Sequence, residues 1–409
     1  MSMVEVIAPV NIALLKYWGK SDYLNIEPIT DSLSLTLNSK QLYSLTQISL
    51  SPGVEQTFTL NEKHQNLTNR MKDVIIASQL RAMQKGSFRR FQKLHIRSTN
   101  NFPTAAGLAS SASGLASLAF GLSTLYHLEE DIAALARRGS GSACRSMYGG
   151  VVHWKRSATD DKHSSSSVEQ LFPHTHWPEL RVLICVTSSH RKPVSSSEAM
   201  RRTVATSPLF QEARATVVDQ RLPRFIDAFG RRDFAALAEL TMRESNELHA
   251  FCLDSWPPAI YLNSTSFAIM DFVHALNQHM RRCVVAYTFD AGPNAFLLTL
   301  ADDAPLVLSL LAECFGQVEV GNGEGLRCYG DDLDIKRARF ETQARRLEVR
   351  GIQYSLEVDL DNHREVLRSL PRCAGSIQYI LSTEASWHCC YYWCTKIDTI
   401  PVKEKSSER

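Results

Sequence analysis

One uncharged stretch of small residues has the composition of an anion-binding loop. Residues 101–121 read NFPTAAGLASSASGLASLAFG and follow the segment 91–99, whose apolar pattern predicts a strand. From Ser113 onward the pattern becomes helical, and free N–H groups at the start of a helix favour a negatively charged ligand. Residues 103–112 are therefore a candidate phosphate loop. A buried helix packed through small residues and a membrane segment are the alternatives.

Ionisable side chains elsewhere in the chain could complete a site for a polyanion. Asp290 lies in the turn DAGPN, where it can act on a proton or simply cap the turn. Lys16 and Lys20 lie in LLKYWGK, although a lone lysine is usually solvated. Arg145 in GSGSACRS carries a planar fork of donors that suits a carboxylate or a phosphate.

Length and charge limit the classes of partner. A chain of 409 residues predicts two domains rather than one core. Its formal net charge of +2 is too small for a dedicated nucleic-acid surface. We expect no secretory signal, because no basic segment precedes a long apolar run. No run of apolar residues reaches the roughly 18 needed to span a bilayer, so we expect no membrane partner.

The ten cysteines mostly stand alone in apolar surroundings, which predicts buried, reduced thiols. The segment WHCCYYWC (387–394) combines His388 with three cysteines and has some character of a metal site. It lacks a second ligand pair at zinc spacing, so we expect no metal there, with a structural zinc as the alternative.

The elements that must position these groups follow from periodicity and turn residues. Strands are predicted at 4–15, leading into a loop, at 32–37 and 42–50 in one sheet, at 91–99, at 181–189, and on both sides of a turn within 283–300. Helices are predicted at 66–84, at 129–139 with Gly139 as C-cap, and over a long region, 195–252. The polar stretch 155–170 predicts a surface loop, which places a domain boundary near 155–178.

The longer motifs that contain these residues resemble those of a known protein family. PTAAGLASSA (103–112) resembles the P-x-x-x-G-L-x-S-S-A phosphate loop of the GHMP kinase superfamily. APVNIALLKYWGK (8–20), RRGSGSACRSMYGG (137–150) and YTFDAGPNAFLL (287–298) resemble segments of its diphosphomevalonate decarboxylases. MRESNELHAFCLDSWPPAIYLN (242–263) also fits, and the resemblance runs in register over about residues 4–384.

The resemblance implies an α+β, two-domain GHMP kinase fold with the active site in the cleft between the domains. We expect a nucleotide-binding domain of the ribosomal-protein type at 1–178, a ferredoxin-like domain at 179–384, and a divergent tail at 385–409 that is not homologous to the family's end. The implied reaction converts ATP and (R)-5-diphosphomevalonate to isopentenyl diphosphate, ADP, phosphate and CO2, with Mg2+, in the mevalonate pathway of isoprenoid and sterol synthesis. A cytoplasmic homodimer is also implied.

The resemblance further implies roles for individual residues. Asp290 orients or deprotonates the tertiary hydroxyl, Lys16 pairs with Asp290, and Arg145 holds the substrate's carboxylate or diphosphate. The implied nucleotide contacts are Pro103, Gly107, Leu108, Ala109, Ser110, Ser111 and Ala112, with Ser110 also a ligand of the metal. The implied substrate contacts are Tyr17, Trp18, Lys20, Ser140, Gly141, Ser142, Arg145 and Ser196.

Some positions depart from the family pattern. Thr30 and Asp31 replace Asn and Ser, and an acid near a polyanion site must face away or bind magnesium. Ser21 stands where an arginine is common, which removes one cation. Two other functions stay open: a kinase of the superfamily that stops at a phosphorylated product, and a relative without activity that keeps the fold.

Overall fold

The computed structural model describes residues 3–50, 55–86, 93–102, 110–129, 131–157, 166–190, 192–318, 338–341, 345–352, 363–371, 373–385 and 391–395. Helices and strands alternate along the chain, and two of the sheets mix parallel and antiparallel pairs. None of the described helices has the length and apolar character of a membrane-spanning segment.

The strands have the following bounds in chain order: β1 Met3–Pro9, β2 Asn11–Leu15, β3 Lys20–Asp22, β4 Glu27–Pro28, β5 Ser32–Thr36, β6 Tyr43–Leu50, β7 Thr57–Leu60, β8 Lys63–His64, β9 Leu94–Asn100, β10 Val151–Lys155, β11 Ser167–Phe172, β12 Leu180–Val186, β13 Val285–Phe289, β14 Ala295–Leu300, β15 Gln317–Val318, β16 Ala338–Glu341, β17 Arg345–Gly351, β18 Tyr379–Glu384 and β19 Tyr391–Thr395.

The helices have these bounds: α1 Asn69–Gln84, α2 Ser110–Leu125, α3 Ile132–Gly139, α4 Ser196–Thr206, α5 Pro208–Arg231, α6 Phe234–Asp254, α7 Ser264–Met280, α8 Ala304–Phe315 and α9 Arg364–Ser369. A 3-10 helix over Gly141–Met147 follows α3. Gly139 is the last residue of α3 and Ser140 is its C-cap, one residue later than predicted.

The N-terminal half builds two sheets, one of which also includes β19 from the end of the chain. One has the strand order β19-β1-β6-β9-β7-β8, and the other has the order β11-β10-β5-β2. Helix α2 packs on β1 and β6, where a side chain at Gly121 would lie 2.7 Å from the Cδ1 of Ile48. The small residues of α2 therefore let this helix approach the sheet closely.

Two strand predictions were wrong. Residues 4–15 form two strands in different sheets, because the extended segment is interrupted between Pro9 and Asn11. Segments 32–37 and 42–50 also lie in different sheets rather than one. β5 is buried along its whole length, and the hydroxyl of Thr36 donates to the Tyr148 carbonyl at 2.8 Å.

The C-terminal half contains the third large sheet, ordered β13-β14-β12-β18-β17-β15, with β16 paired to β17. The predicted pair of strands around DAGPN is confirmed as β13 and β14. The predicted helical region 195–252 is divided into α4, α5 and α6. Ser207 and Asp233 cap the later two helices through their side chains, and Pro208 occupies the first turn of α5.

The predicted loop 155–170 is only partly a loop. Residues 167–170 belong to β11, which extends the sheet through β10, while residues 158–165 lie outside the described residues. Helix α6 packs against both β2 and β13, so it contacts strands from both halves of the chain. The ends of those two strands carry the central charged pair of the site.

Candidate active site

A cleft of about 1060 Å³ lies where the two halves of the chain meet. Its walls come from β2, the start of α1, the start of α2, the 3-10 helix, the segment before α4 and the turn after β13. The predicted site residues that line it are Lys16, Tyr17, Trp18, Lys20, Ser111, Ser140, Gly141, Ser142, Arg145, Ser196 and Asp290. Residues far apart in sequence are thus brought together in one cavity.

Lys16 and Asp290 form an ion pair in this cleft. The Nζ of Lys16 lies 2.7 Å from Oδ1 of Asp290, and each residue directly follows a strand, β2 and β13 respectively. Lys16 is 1% exposed, whereas the Asp290 side chain is 27% exposed towards the cleft. Burial lowers the pKa of Lys16, and the Asp290 carboxylate opposes that shift. The pair presents a carboxylate to a ligand while an ammonium group behind it compensates the charge.

Arg145 is fixed by its surroundings before any ligand binds. Its Nη1 donates to the hydroxyl of Ser32 at 2.8 Å, and its Nε donates to Oδ1 of Asn11 at 3.4 Å. The guanidinium also lies 5.9 Å from the ring centroids of Tyr17 and Trp154. Burial lowers the pKa of Arg145, but an arginine stays charged in proteins. The result is a preorganised donor for an anionic group.

Gly141 and Tyr17 form one tightly packed wall of the cleft. A side chain at Gly141 would place its Cβ 2.5 Å from the Tyr17 hydroxyl oxygen. The Tyr17 ring is also packed against Trp154, with centroids 4.6 Å apart. The Tyr17 hydroxyl is buried without a hydrogen-bond partner among the described residues.

The charge of the cleft is strongly positive. In the described part of the chain, Asp290 is the single acid that lines it, and five cationic residues do so: Lys16, Lys20, Arg70, Arg145 and Lys192. Among the described residues no acceptor bonds the Nζ of Lys20, and burial beside Arg70 lowers the pKa of Lys20 to about 8. Lys192 donates to the hydroxyl of Ser196 at 2.7 Å, and Arg70 donates to Ser197.

Three of these lining residues were missed by sequence reasoning. Arg70 lies in the first turn of α1, which resembles an ordinary solvated helix end, and Lys192 lies in a polar loop. Asn11 lies in an apolar strand, where its amide donates to the Ser142 carbonyl and the Ser146 hydroxyl. A polar residue in a fully buried strand was the one available signal.

Part of the predicted nucleotide loop lies outside the described residues, namely Pro103, Gly107, Leu108 and Ala109. Ser110 begins α2, but its side chain is not among those described. Ser111 is exposed and lines the cleft, whereas Ala112 is buried and does not line it. The nucleotide contacts of this loop remain predictions.

Trp18 contributes to packing at the edge of the cleft. Its Nε1 donates to the hydroxyl of Thr203 at 3.1 Å, and its ring contacts those of Phe251 and Tyr261. This anchors α4, which begins at the cleft.

Asp31 faces away from the polyanion site. Its Oδ2 lies 3.1 Å from Nε2 of His153, and its Oδ1 accepts from the backbone N–H of Arg156 at 2.8 Å. Burial raises the pKa of Asp31, but these hydrogen bonds outweigh it and hold the pKa below its usual value. The departure at this position therefore adds no acid to the cleft lining.

Comparisons with known proteins agree over both halves of the chain. A model described as the diphosphomevalonate decarboxylase-like N-terminal domain matches residues 8–167, and one for the mevalonate 5-diphosphate decarboxylase C-terminal domain matches residues 182–385. The diphosphomevalonate decarboxylase of Rattus norvegicus is 44% identical over 392 residues, which cover 93% of this chain and 91% of that relative.

Solved structures show the same relationship. The mevalonate diphosphate decarboxylase from Trypanosoma brucei superposes with a TM-score of 0.79 at 30% identity, covering 98% of this chain and 100% of that one. A structure described as MDDEF in complex with MVAPP, AMPPCP and magnesium has a TM-score of 0.67 at 33% identity, covering 76% and 93%. The predicted GHMP kinase-like α+β fold is confirmed, and the chain belongs to the diphosphomevalonate decarboxylase family.

Proposed function

We propose that this cleft carries out the ATP-dependent decarboxylation of (R)-5-diphosphomevalonate, giving isopentenyl diphosphate, ADP, phosphate and CO2. The observation that carries the proposal is the Lys16–Asp290 pair, 2.7 Å apart, in a cleft whose other charged lining residues are all cationic among those described. Such a cleft suits two polyanions held on either side of one carboxylate.

The size of the cleft supports two bound molecules. Pockets for single drug-sized ligands span about 300–1,000 Å³, and this cleft measures about 1060 Å³. It extends from the start of α2, where the predicted phosphate loop ends, to Asp290. A nucleotide at the α2 end and a smaller diphosphate near Asp290 fit this shape.

Asp290 orients the tertiary hydroxyl of the substrate or takes its proton as the hydroxyl attacks the γ-phosphate. Lys16 compensates the charge of that carboxylate, because its ammonium group is buried directly behind it. The phosphorylated hydroxyl then leaves as phosphate. The resulting electron deficiency at that carbon draws the electron pair of the breaking carbon–carboxylate bond, which forms the double bond and releases CO2. Positioning and charge compensation supply most of the catalysis.

Arg145 holds the substrate's carboxylate or diphosphate through its free edge, since Asn11 and Ser32 already occupy two of its donors. Lys20 and Ser196, which line the same cleft, also bind the substrate. The turn at Ser140, Gly141 and Ser142 adds hydroxyl groups and close backbone approach, with the two serine oxygens 3.3 Å apart.

The described residues fit ATP with magnesium brought by the nucleotide. Mg2+ commonly takes one or two carboxylates together with phosphate oxygens and waters. No group of three or more acidic, histidine or cysteine side chains that could hold a metal was found in the described part of the chain. Ser110, at the start of α2, is the proposed hydroxyl ligand.

The proposal includes a homodimer and a cytoplasmic location, both carried over from the family resemblance. Six cysteines in the described ranges are free thiols, which supports a reducing compartment.

The test is one assay with purified protein, ATP, Mg2+ and (R)-5-diphosphomevalonate, in which ADP and CO2 are followed together. Equal release of both products is expected. ADP without CO2 would instead support a kinase that stops at the phosphorylated alcohol, and the absence of both would refute the proposal.

A further inference from the structure

Helix α6 fixes the main chain on both sides of the central ion pair. The carboxylate of Glu244 accepts from the backbone N–H of Lys16 at 3.0 Å. The hydroxyl of Ser245, the next residue of the helix, accepts from the backbone N–H of Phe289 at 2.9 Å, directly before Asp290. Consecutive residues of one helix therefore hold two strand ends that come from opposite halves of the chain.

Arg214 of α5 bonds the other main-chain group of Lys16. Its Nη2 donates to the Lys16 carbonyl at 2.8 Å and also lies 3.0 Å from Oε2 of Glu244. Arg214 and Glu244 are both buried, at 1% and 0% exposed. Each partner of this ion pair thus bonds one of the two backbone groups of Lys16.

A buried ion pair is weak evidence for stability, because the cost of desolvating both charges can exceed their attraction. Here both charged side chains of the pair bond the main chain of Lys16, whose own side chain contacts the Asp290 carboxylate. We propose that Glu244 and Arg214 are positioning residues for the reaction, which hold Lys16 in the geometry that pairs its ammonium group with the Asp290 carboxylate. This inference rests on the proposed function.

Glu244 also acts on Lys16 through its charge. The groups that face Lys16 are Asp290 after β13, Glu244 and His249 of α6, Arg145 of the 3-10 helix and Arg214 of α5. Burial lowers the pKa of Lys16, while Asp290 and Glu244 raise it. Removal of the Glu244 charge should therefore let Lys16 lose its proton at a lower pH.

The chain offers a matched control for Glu244. Glu247 lies on the same helix and pairs with the same two arginines, with Oε1 at 2.8 Å from Nη1 of Arg214 and Oε2 at 2.5 Å from Nη1 of Arg221. Among the described residues no hydrogen bond or ion pair joins it to Lys16. Glu244→Gln and Glu247→Gln therefore remove one carboxylate each from one network, but only the first removes a carboxylate that bonds Lys16 directly.

The experiment compares kcat, the KM for ATP and the pH profile of kcat in both variants. Glu244→Gln should lower kcat by about ten- to a hundredfold, the scale expected for sub-ångström to 1 Å misplacement. It should leave the KM for ATP near the wild-type value and shift the alkaline limb of the profile to lower pH. Glu247→Gln should keep the wild-type profile. Equal losses in both variants, or an unshifted limb in Glu244→Gln, would overturn the inference.

A second pair covers the case in which Glu244→Gln does not fold. Arg214→Lys loses the donor to the Lys16 carbonyl, whereas Arg221→Lys alters an arginine that bonds Glu244 and Glu247. The first should lower kcat at least tenfold more than the second at equal melting temperature, and similar kcat values would overturn the inference. Wild-type protein in the same assay separates the claims, because absent CO2 release there refutes the proposed function itself.

Discussion

Substitution of Gly141 by alanine should disturb the cleft through a single added carbon atom. The new Cβ would lie 2.5 Å from the hydroxyl oxygen of Tyr17, 2.7 Å from its Cζ and 2.8 Å from its Cε1. Carbon atoms in contact prefer about 3.5–4.0 Å, so the ring must move by roughly 1 Å. It cannot simply move away, because Trp154 packs on it with centroids 4.6 Å apart.

The cost can be estimated on two scales. Overpacking of a well-filled site costs typically about 1–3 kcal/mol, which corresponds to a fall in Tm of a few degrees for a large domain. A displacement of about 1 Å in a wall of the active site can cost roughly a hundredfold in rate. For Gly141→Ala we therefore expect kcat/KM for diphosphomevalonate to fall by up to roughly a hundredfold, while Tm falls by only a few degrees.

The assay measures kcat/KM and Tm for Gly141→Ala beside Gly230→Ala as the control. Gly230 is exposed in α5, and the nearest atom to an added Cβ is the Cζ of Phe172 at 3.9 Å, so the methyl group has room. The control should keep full activity and an equal or higher Tm, because alanine favours the helix. Wild-type kcat/KM and Tm in Gly141→Ala would refute the argument that Tyr17 and Gly141 form a packed wall of the site.

Two further predictions concern pH. The pKa of Lys20 is about 8 because of burial and Arg70, and an anion binds its charged form, so the KM for diphosphomevalonate should rise between pH 7.5 and 9. Lys20→Met should have a higher KM that no longer rises over this pH range. The same rise of KM with pH in both proteins would contradict the role of Lys20. Burial and Lys16 lower the pKa of His249 to about 3, so only the unfolded chain takes up this proton near 6.5. The free energy of unfolding should then fall below pH 6.5 by up to about 1.4 kcal/mol per pH unit. Urea unfolding at pH 7 and pH 5 should show a smaller difference in this free energy for His249→Asn than for the wild type. The same difference in both proteins would contradict the role of His249.

The sequence was most informative where function lies in a local motif. The turn around Asp290 combines Gly and Pro between two β-rich segments, and it forms as predicted. Lys16 and Arg145 were found through the motifs that contain them, and both line the cleft beside Asp290. Local spacing is enough in these cases because each residue directly follows a strand or lies in a short helix.

The site residues that could not be predicted from the sequence reach their positions through tertiary packing. Arg70 and Lys192 reach the cleft because α1 and the segment before α4 meet there, and nothing in their local sequence indicates this. Glu244 lies in an ordinary helical pattern, so its hydrogen bond to a residue 228 positions away could not be predicted. The sheet assignment of β5 failed for a related reason, since Ser32 and Thr36, although buried, bond to residues distant in the sequence.

The most direct test of the central claim is the turnover of Asp290→Asn measured together with its affinity for ATP. Asparagine keeps the shape of the side chain but removes the charge that pairs with Lys16 at 2.7 Å. A positioned acid–base group contributes about 10²–10⁴-fold, so ADP and CO2 release should both fall at least about a hundredfold while ATP affinity stays near the wild-type value. If Asp290→Asn releases both products at close to the wild-type rate, the Lys16–Asp290 pair is not the centre of the reaction.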